Sequence, residues 1–193
     1  MFQRGICPDF QLKNISIHEA DFREALSRTA ATVSVVSTDG PAGRAGLTVS
    51  AMCSVSTKPP SLLVCVNEES GVCKIMRDNS VMCINILRSN QGYISDAFSG
   101  RLEDSAQDPF EIANWDTAST GAPVMSEALI NLDCSITNEI RHGTHYIFIG
   151  EIESLKLNQS GTPLVYRNRM YEQLGVASSL SLEDIEYSWE RHT

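Results

Sequence analysis

Patterns that mark several common enzyme folds are missing from the 193 residues of this chain. No Gly-x-Gly-x-x-Gly opens a helix and no Gly-x4-Gly-Lys-Ser/Thr is present, so the fingerprints of Rossmann and P-loop nucleotide sites are both lacking. The Gly-x-Ser-x-Gly elbow of serine hydrolases is missing too. Strands and helices do not alternate regularly, so a doubly wound parallel sheet is not expected.

Positive charge is scarce, because 15 Lys and Arg stand against 24 Asp and Glu, for a formal net charge of -9. An acidic chain is poorly suited to nucleic acid or an anionic membrane, and we expect neither as a partner. No run of about 18 apolar residues is present, which argues against a membrane span. The opening residues lack the apolar stretch of a signal peptide, so the expected location is cytoplasmic.

The six cysteines form no Cys-x-x-Cys pair, and most occupy apolar positions of predicted strands or helices. We therefore interpret them as small core residues. His142 and His145 form a His-x-x-His pair, but two ligands without a clear third do not make a metal site. No metal is predicted.

Apolar alternation and turn residues predict a mainly β protein with helical inserts, in one domain over residues 1–193. The predicted core is 16–174, followed by a tail over 175–193, and residues 101–122 are predicted to be irregular. The predicted strands are 31–38, 46–56, 61–66, 81–87, 129–140, 146–157 and 163–168, and the predicted helices are 16–30, 70–79 and 89–100. Few helices and several hairpins favour a small antiparallel barrel.

The first predicted helix begins with a capping box, in which Ser16 is the N-cap and Glu19 follows three residues later. Phe22, Leu26 and Ala30 make one apolar stripe along it. That stripe is expected to face the core.

The strand over residues 46–56 has an unusual composition. Its apolar set, predicted to face the core, is Leu47, Val49, Ala51, Cys53 and Val55. The opposite set is Thr48, Ser50, Met52, Ser54 and Ser56, of which four carry a hydroxyl. Short hydroxyls and strand amides suit a large uncharged polar ligand, such as a flavin. The alternative is an ordinary exposed strand rich in Ser and Thr.

Further motifs follow that strand in a fixed order. They are the full segment GLTVSAMCSVSTKPPSLLVCV, then Ser70, VMCINIL with Asn85, QGYISDAFSG, APVMSEALINLDC, GTHYIFIGEIESL and PLVYRNRMYEQL. Together they resemble the short-chain flavin reductases, the reductase partners of two-component flavin monooxygenases. The resemblance extends from about residue 20 to residue 174.

The resemblance implies an FMN-binding split β-barrel, antiparallel and Greek-key-like, that acts as an NAD(P)H:flavin oxidoreductase. Hydride would pass from NADH or NADPH to FMN or FAD, and reduced flavin would diffuse to a partner monooxygenase. The alternative is an FMN-binding electron-transfer protein or flavin carrier without reductase activity. The resemblance also implies a homodimer, and the apolar hairpin over 130–157 agrees with that.

The resemblance also assigns site residues. The implied flavin contacts are Thr48, Val49, Ser50, Ser54, Val55 and Ser70. Lys74, one helical turn after Ser70, is our addition as a phosphate contact, with a solvated lysine as the alternative.

A Gly-Asp-His turn contacts the nicotinamide cofactor in that family. The matching residues here are Gly143, Thr144 and His145, so the aspartate is missing. His145 is predicted to be the catalytic residue that places the nicotinamide ring, with a plain hairpin residue as the alternative. Arg167, Arg169 and Tyr171 match a region near the family's pocket.

Overall fold

The computed structural model describes residues 17–100 and 108–174. Three helices and a short 3-10 helix accompany twelve strands in these residues. The helices are α1 (Glu19–Ser27), α2 (Gly71–Asn79), α3 (Gly92–Phe98) and the 3-10 helix Pro109–Ile112. The strands are β1 (Ala31–Thr32), β2 (Ser34–Thr38), β3 (Ala45–Val49), β4 (Met52–Thr57), β5 (Pro60–Asn67), β6 (Val81–Ile86), β7 (Trp115–Thr117), β8 (Pro123–Met125), β9 (Ile130–His142), β10 (His145–Leu157), β11 (Val165–Arg167) and β12 (Met170–Glu172).

Seven strands form one antiparallel sheet in the order β3-β2-β6-β9-β10-β5-β4. Its two edge strands, β3 and β4, are consecutive in the chain, so the sheet must curl for the chain to pass between them. The barrel is left open between these edges, which is the geometry of a split barrel. The predicted fold class, mainly antiparallel β with helical inserts, is confirmed.

The segment over 46–56 is not one strand. It breaks at Ser50 and Ala51, because β3 pairs with β2 at one edge while β4 pairs with β5 at the other. A short irregular connection carries the chain across the opening. The prediction of a continuous strand was therefore wrong.

The break also shifts the alternation of side chains by one residue. Val49 is buried before it, whereas Met52 packs against the core after it, which leaves Cys53 and Val55 exposed. Because the side-chain period of a strand is two, a shift of one residue moves every later side chain to the other face. The predicted inward orientation of Cys53 and Val55 was wrong.

Two apolar clusters lie on opposite faces of the sheet, and β2 contributes to both. Val36 belongs to the cluster that includes Met76 of α2, and Val35 belongs to the cluster that includes Phe98 of α3. All five residues of β2 are buried. The central strands are thus covered on both faces, and the edges β3 and β4 remain accessible for function.

Asn85 is the centre of a buried hydrogen-bond network. Its Nδ2 donates to the carbonyl of Val35 (3.0 Å) and to Ser37 Oγ (2.9 Å). Its Oδ1 accepts from the Met125 amide (2.8 Å) and from Asn131 Nδ2 (2.8 Å). An Asn buried this completely is retained for satisfied polar contacts, so the motif VMCINIL contains a structural residue at Asn85.

The helix α1 differs from its prediction. Its N-cap is His18, without a side-chain capping bond, and Ser16 lies outside the described residues. Phe22 and Leu26 are 54% and 51% exposed, and none of the helix's residues is buried. The expected core-facing stripe was wrong within the described residues, where the helix bonds the turn between β11 and β12 through polar contacts such as Arg169 with Glu24 (2.9 Å).

The cysteines divide by burial. Cys73, Cys83 and Cys134 are buried, Cys65 is half-buried and Cys53 is exposed. The core interpretation was wrong for Cys53, which the break in the 46–56 segment turns outward. Cys7 and the tail over 175–193 lie outside the described residues.

Four short elements were not predicted: the 3-10 helix, β7, β8 and β12. The 3-10 helix and β7 occupy part of 101–122, where an irregular segment was expected. The strand β12 pairs with β11 through a two-residue turn at Asn168 and Arg169, both with positive φ (50° and 61°). That turn lacks the Asn-Gly pattern that usually signals a tight hairpin.

None of the helices in the described ranges 17–100 and 108–174 is long and apolar enough to cross a membrane. The same residues contain no cluster of three or more His, Cys, Asp or Glu side chains placed to hold a metal ion.

Candidate functional site

Three of the predicted site residues lie at one end of the barrel. His145 on β10 pairs with Asn67, the last residue of β5, and Ser70 follows three residues later. The amide of Cys65 on β5 donates to the carbonyl of Ala51 (3.0 Å), which places Ser50 at the same end. The sheet therefore brings the hydroxyl segment, the start of α2 and the His145 turn together.

A cavity of about 180 Å³ adjoins this end of β3. Thr48 and Ser50 line it, facing Tyr171, and the other lining residues are Val33, Ser95, Ser99 and Tyr166. The hydroxyl of Thr48 donates to the carbonyl of Ser95 (2.7 Å), so α3 fixes that side chain. Ser50 is exposed and keeps its hydroxyl available to a ligand.

The remaining predicted flavin contacts of the segment 46–56 differ in the groups that they expose to a ligand. Val49 is 7% exposed and packs into the core, so it could contact a ligand through its backbone alone. Ser54 and Val55 are exposed on β4, where the ladder with β5 is irregular between Ser54 and Ser56. The outer edge of β4 has no strand partner in the sheet that the described residues form. Its amides and carbonyls can therefore bond a ligand that lies along the edge.

Ser70 is the N-cap of α2. Its Oγ accepts from the amide of Val72 (3.3 Å), which leaves the hydroxyl hydrogen free to be donated outward. A Cβ added at Gly71 would meet nothing within 4 Å, so the space in front of the helix start is open. A helix start with open space in front of it is suited to a phosphate group.

Lys74 lies on the same helix, but its ammonium bonds Asp78 one turn further from the N-terminus. The lysine side chain is 81% exposed. In this arrangement the cation is directed away from Ser70, which favours the solvated alternative.

Gly143 and Thr144 form the two-residue turn between β9 and β10. Gly143 has φ +58°, in the region where glycine has no steric penalty. Thr144 Oγ1 lies 3.0 Å from Nδ1 of His145, and the Thr144 carbonyl accepts from the amide of Glu68 (2.9 Å). The turn is thus joined to the loop that precedes α2.

His142 lies directly across the ladder from His145. Residues paired in this way project from the same face of a hairpin. His145 is on the strand next to β5 and the Ser70 loop, whereas His142 is one strand further away. His145 is the better placed of the two for a ligand near Ser70.

Glu68 and Arg141 form an ion pair at this end of the barrel. The Arg141 guanidinium bonds Glu68 and lowers the pKa of its carboxyl, with a smaller contribution from His145. On the neighbouring β5, burial raises the pKa of the Cys65 thiol. A thiol that resists ionisation is a poor nucleophile, so Cys65 is not expected to react.

The predicted cations near the C-terminal end of the fold are engaged elsewhere. Arg167 bonds both oxygens of Glu172, and Arg169 pairs with Glu24. Tyr171 does reach the cavity, where its hydroxyl donates to Asp96 Oδ1 (2.7 Å) and lies 2.8 Å from Ser95 Oγ.

Sequence reasoning did not identify Ser95, Ser99 or Tyr166 as cavity residues, nor Glu68 and Arg141 at the turn. The pairing of Tyr166 with Tyr171 could have been read from the two tyrosines of PLVYRNRMYEQL, had the turn between them been recognised. Glu68 and Arg141 are 73 residues apart in the chain, and no local pattern connects them.

The residues present fit a flavin. Ser50, Ser54 and Ser70 offer hydroxyls, the edge of β4 offers backbone groups, and no atom lies within 4 Å of an added Cβ at Gly71 or Gly143. The arrangement defines a split barrel with a cavity beside the end of β3 and an unpaired edge at β4.

Comparison with known proteins agrees with this description. Residues 26–175 match the family called flavin reductase like domain. The FMN reductase (NADH) RutF of Serratia proteamaculans is 36% identical over 174 residues, which cover 90% of this chain and 98% of that protein. The protein of the same name from Agrobacterium fabrum is 39% identical over 164 residues, covering 85% and 93%.

Solved structures give the same result. A flavin reductase candidate from Haemophilus somnus has a TM-score of 0.77 and 37% identity, covering 82% of this chain and 100% of that one. The flavin reductase PheA2 has a TM-score of 0.76 and 30% identity, covering 82% and 99%. This chain belongs to the family of flavin reductase-like domains, as its motifs predicted.

Proposed function

We propose that this chain is an NADH-dependent flavin reductase that acts on FMN. The observation that carries the proposal is the meeting of Ser50, Ser70 and the His145 turn at one end of the split barrel. The relatives from Serratia proteamaculans and Agrobacterium fabrum are named FMN reductase (NADH), which supports FMN and NADH over FAD and NADPH.

In this proposal a flavin would supply the hydride acceptor for reduced nicotinamide, and the protein would hold the two molecules. Ser50, Ser54 and the edge of β4 hold the flavin, while the Ser70 hydroxyl and the start of α2 face its phosphate. His145 hydrogen-bonds the nicotinamide amide and fixes the ring. The cofactors carry the redox chemistry, so the protein's contribution is placement and exclusion of water.

We also propose a homodimer and transfer of reduced flavin to a partner monooxygenase by diffusion. Large apolar side chains remain exposed on the hairpin of β9 and β10, among them Ile140 (47%), Leu155 (59%) and Leu157 (65%). Leu155 and Leu157 lie together at the end of the hairpin that is remote from its turn, and a second copy related by a two-fold axis is the commonest way to cover such side chains. The expected location remains the cytoplasm.

The proposal is tested by steady-state oxidation of NADH and of NADPH, each with FMN, FAD and riboflavin. The fastest turnover is expected with NADH and FMN. Absence of oxidation with every pair would overturn the proposal.

A second candidate function is flavin binding without reductase activity, which Thr144 at the position of the family's aspartate favours. Under that function FMN would bind, and NADH would leave its absorbance unchanged. Bleaching of protein-bound FMN on addition of NADH would exclude it.

A further inference from the structure

An ion pair joins the turn that carries His145 to the loop that leads to Ser70. Arg141 Nε donates to Glu68 Oε2 (2.7 Å), and Arg141 Nη2 donates to Glu68 Oε1 (2.9 Å). The Glu68 amide donates to the carbonyl of Thr144 (2.9 Å). One residue, Glu68, therefore holds the turn through both its backbone and its side chain.

Glu68 has a special place in the chain. It follows Asn67, which pairs with His145, and it precedes Ser70, the N-cap of α2, by two residues. Any movement of the turn relative to β5 must disturb the Glu68 contacts. The same residue thus touches both the predicted nicotinamide turn and the predicted flavin loop.

The geometry of this ion pair is more restrictive than that of most surface pairs. Two parallel bonds between a guanidinium and a carboxylate fix orientation as well as distance. Exposed ion pairs contribute little to overall stability, and here the Arg141 and Glu68 side chains are 59% and 31% exposed. Other surface pairs of this protein share the bidentate geometry, and what distinguishes this pair is its place between the His145 turn and the Ser70 loop.

Thr144 stands where the family's turn has an aspartate, so the turn itself supplies no carboxylate next to His145. Thr144 places a neutral hydroxyl 3.0 Å from His145 Nδ1, where the family resemblance leads one to expect an aspartate nearby. Glu68 brings a carboxylate to the same turn from the neighbouring loop, close enough for His145 to contribute to its lowered pKa.

We propose that Glu68 and Arg141 are positioning residues that hold the His145 turn in register with the Ser70 loop. The inference rests on the proposed function, because it assigns these residues the task of keeping nicotinamide and flavin at reacting distance. Neither side chain is required to touch the reacting atoms. Their removal allows the turn to shift, and a displacement of about 1 Å can cost on the order of a hundredfold in rate.

The test compares Glu68→Gln, Arg141→Gln and the charge swap Glu68→Arg/Arg141→Glu with the parent. Arg44→Gln is the control, because Arg44 makes an exposed ion pair with Asp108 (2.7 Å) at the end of β3 opposite to Ser50. Each single variant is expected to lower the rate of flavin reduction at saturating NADH about tenfold, with FMN affinity changed less than about twofold. The swap should recover most of the rate, and the control should keep it.

A second readout needs no nucleotide. Amide hydrogen exchange at Glu68, whose N–H bonds Thr144, should become about tenfold faster in both single variants and return in the swap. Variants with parental reduction rates and parental exchange at Glu68 would overturn the inference. A parent that never reduces flavin would overturn the proposed function instead, and the exchange rates would still decide whether the ion pair holds the turn.

Discussion

Ser50 is the residue where the sequence pattern and the structure agree most closely. Its exposed hydroxyl lies at the break between β3 and β4, beside a cavity and within the predicted flavin segment. Neighbouring side chains of that segment are either fixed by α3, as Thr48 is, or turned into the core, as Val49 is. Ser50 is therefore the best single position at which to test flavin binding.

Ser50→Leu is expected to weaken FMN binding by roughly 1–3 kcal/mol, because it fills the ligand's space and leaves a polar group of the ligand unpaired. Fluorescence titration measures the change. Ser160→Leu, an exposed serine outside the site, is the control and should bind as the parent does. Parental affinity in Ser50→Leu would mean that the flavin lies elsewhere.

Cys53 gives an independent test of where the flavin binds, without any substitution. It is exposed on β4 between the segment's serines, whereas burial raises the pKa of the Cys134 thiol to about 12 and raises those of Cys73 and Cys83. Alkylation in mildly alkaline buffer should therefore label Cys53 ahead of these three.

Saturating FMN should slow the labelling of Cys53 severalfold if the ligand lies along β4. Mass spectrometry of the peptide that contains Cys53 measures this and separates it from Cys7. Labelling at the same rate with and without FMN would contradict the placement.

At the residue level, local chemistry pointed to Ser50, Ser54 and Ser70, of which the first two are exposed and the third is half-buried. Their contact with a ligand stays a prediction. Local chemistry could not predict that Lys74 would pair with Asp78, because a phosphate-binding lysine and a solvated lysine have the same sequence pattern at this position. Glu68 and Arg141 depend on strand pairing between distant parts of the chain, which local patterns do not encode.

Secondary structure was predicted best where the pattern is long. The hairpin consists of two thirteen-residue strands, β9 and β10, joined by Gly143 and Thr144, and its prediction is confirmed. The segment over 46–56 has an equally regular alternation, yet it breaks, because the barrel needs its two edges joined. That requirement depends on the strand order of the whole sheet, so the residues of the segment alone do not predict the break.

Gly150 shows how closely the strands of the barrel pack. An added Cβ there would lie 2.5 Å from Met82 Cε and 2.8 Å from Cys134 Cβ. Gly150→Ala is therefore expected to destabilise the protein by about 1–3 kcal/mol through overpacking. Denaturant unfolding measures the loss.

Gly71→Ala is the matched control for Gly150→Ala. No atom lies within 4 Å of a Cβ at Gly71, and Gly71 is in a helix, where alanine is favoured. Its stability should equal or slightly exceed that of the parent. Equal stability in all three proteins would show that the strands at Gly150 are less tightly packed than described.

For the molecule as a whole, composition and strand pattern predicted the fold class, and the ordered motifs predicted the family. Which apolar side chains stay exposed on a single protein chain could not be predicted. The helix α1 was expected to bury Phe22 and Leu26, but its described contacts leave both more than half exposed.

A homodimer through the β9–β10 hairpin predicts that Leu155→Asp weakens association, because a charge would be buried at the interface. Sedimentation at micromolar protein should show a shift from twice 21.2 kDa towards 21.2 kDa. Met170→Asp, at another exposed apolar side chain on β12, is the control and should stay dimeric. A parent that sediments as a monomer would contradict the proposed dimer.

The central claim is that NADH reduces flavin held beside the His145 turn, and anaerobic stopped-flow reduction of protein-bound FMN by saturating NADH tests it most directly. Rapid loss of flavin absorbance is expected in the parent, and reduction slower by on the order of a hundredfold is expected in His145→Ala, with FMN binding near normal. His142→Ala should be affected much less. Equal rates in the parent and His145→Ala would exclude His145 from the nicotinamide site, and no reduction in the parent would exclude NADH-dependent flavin reduction.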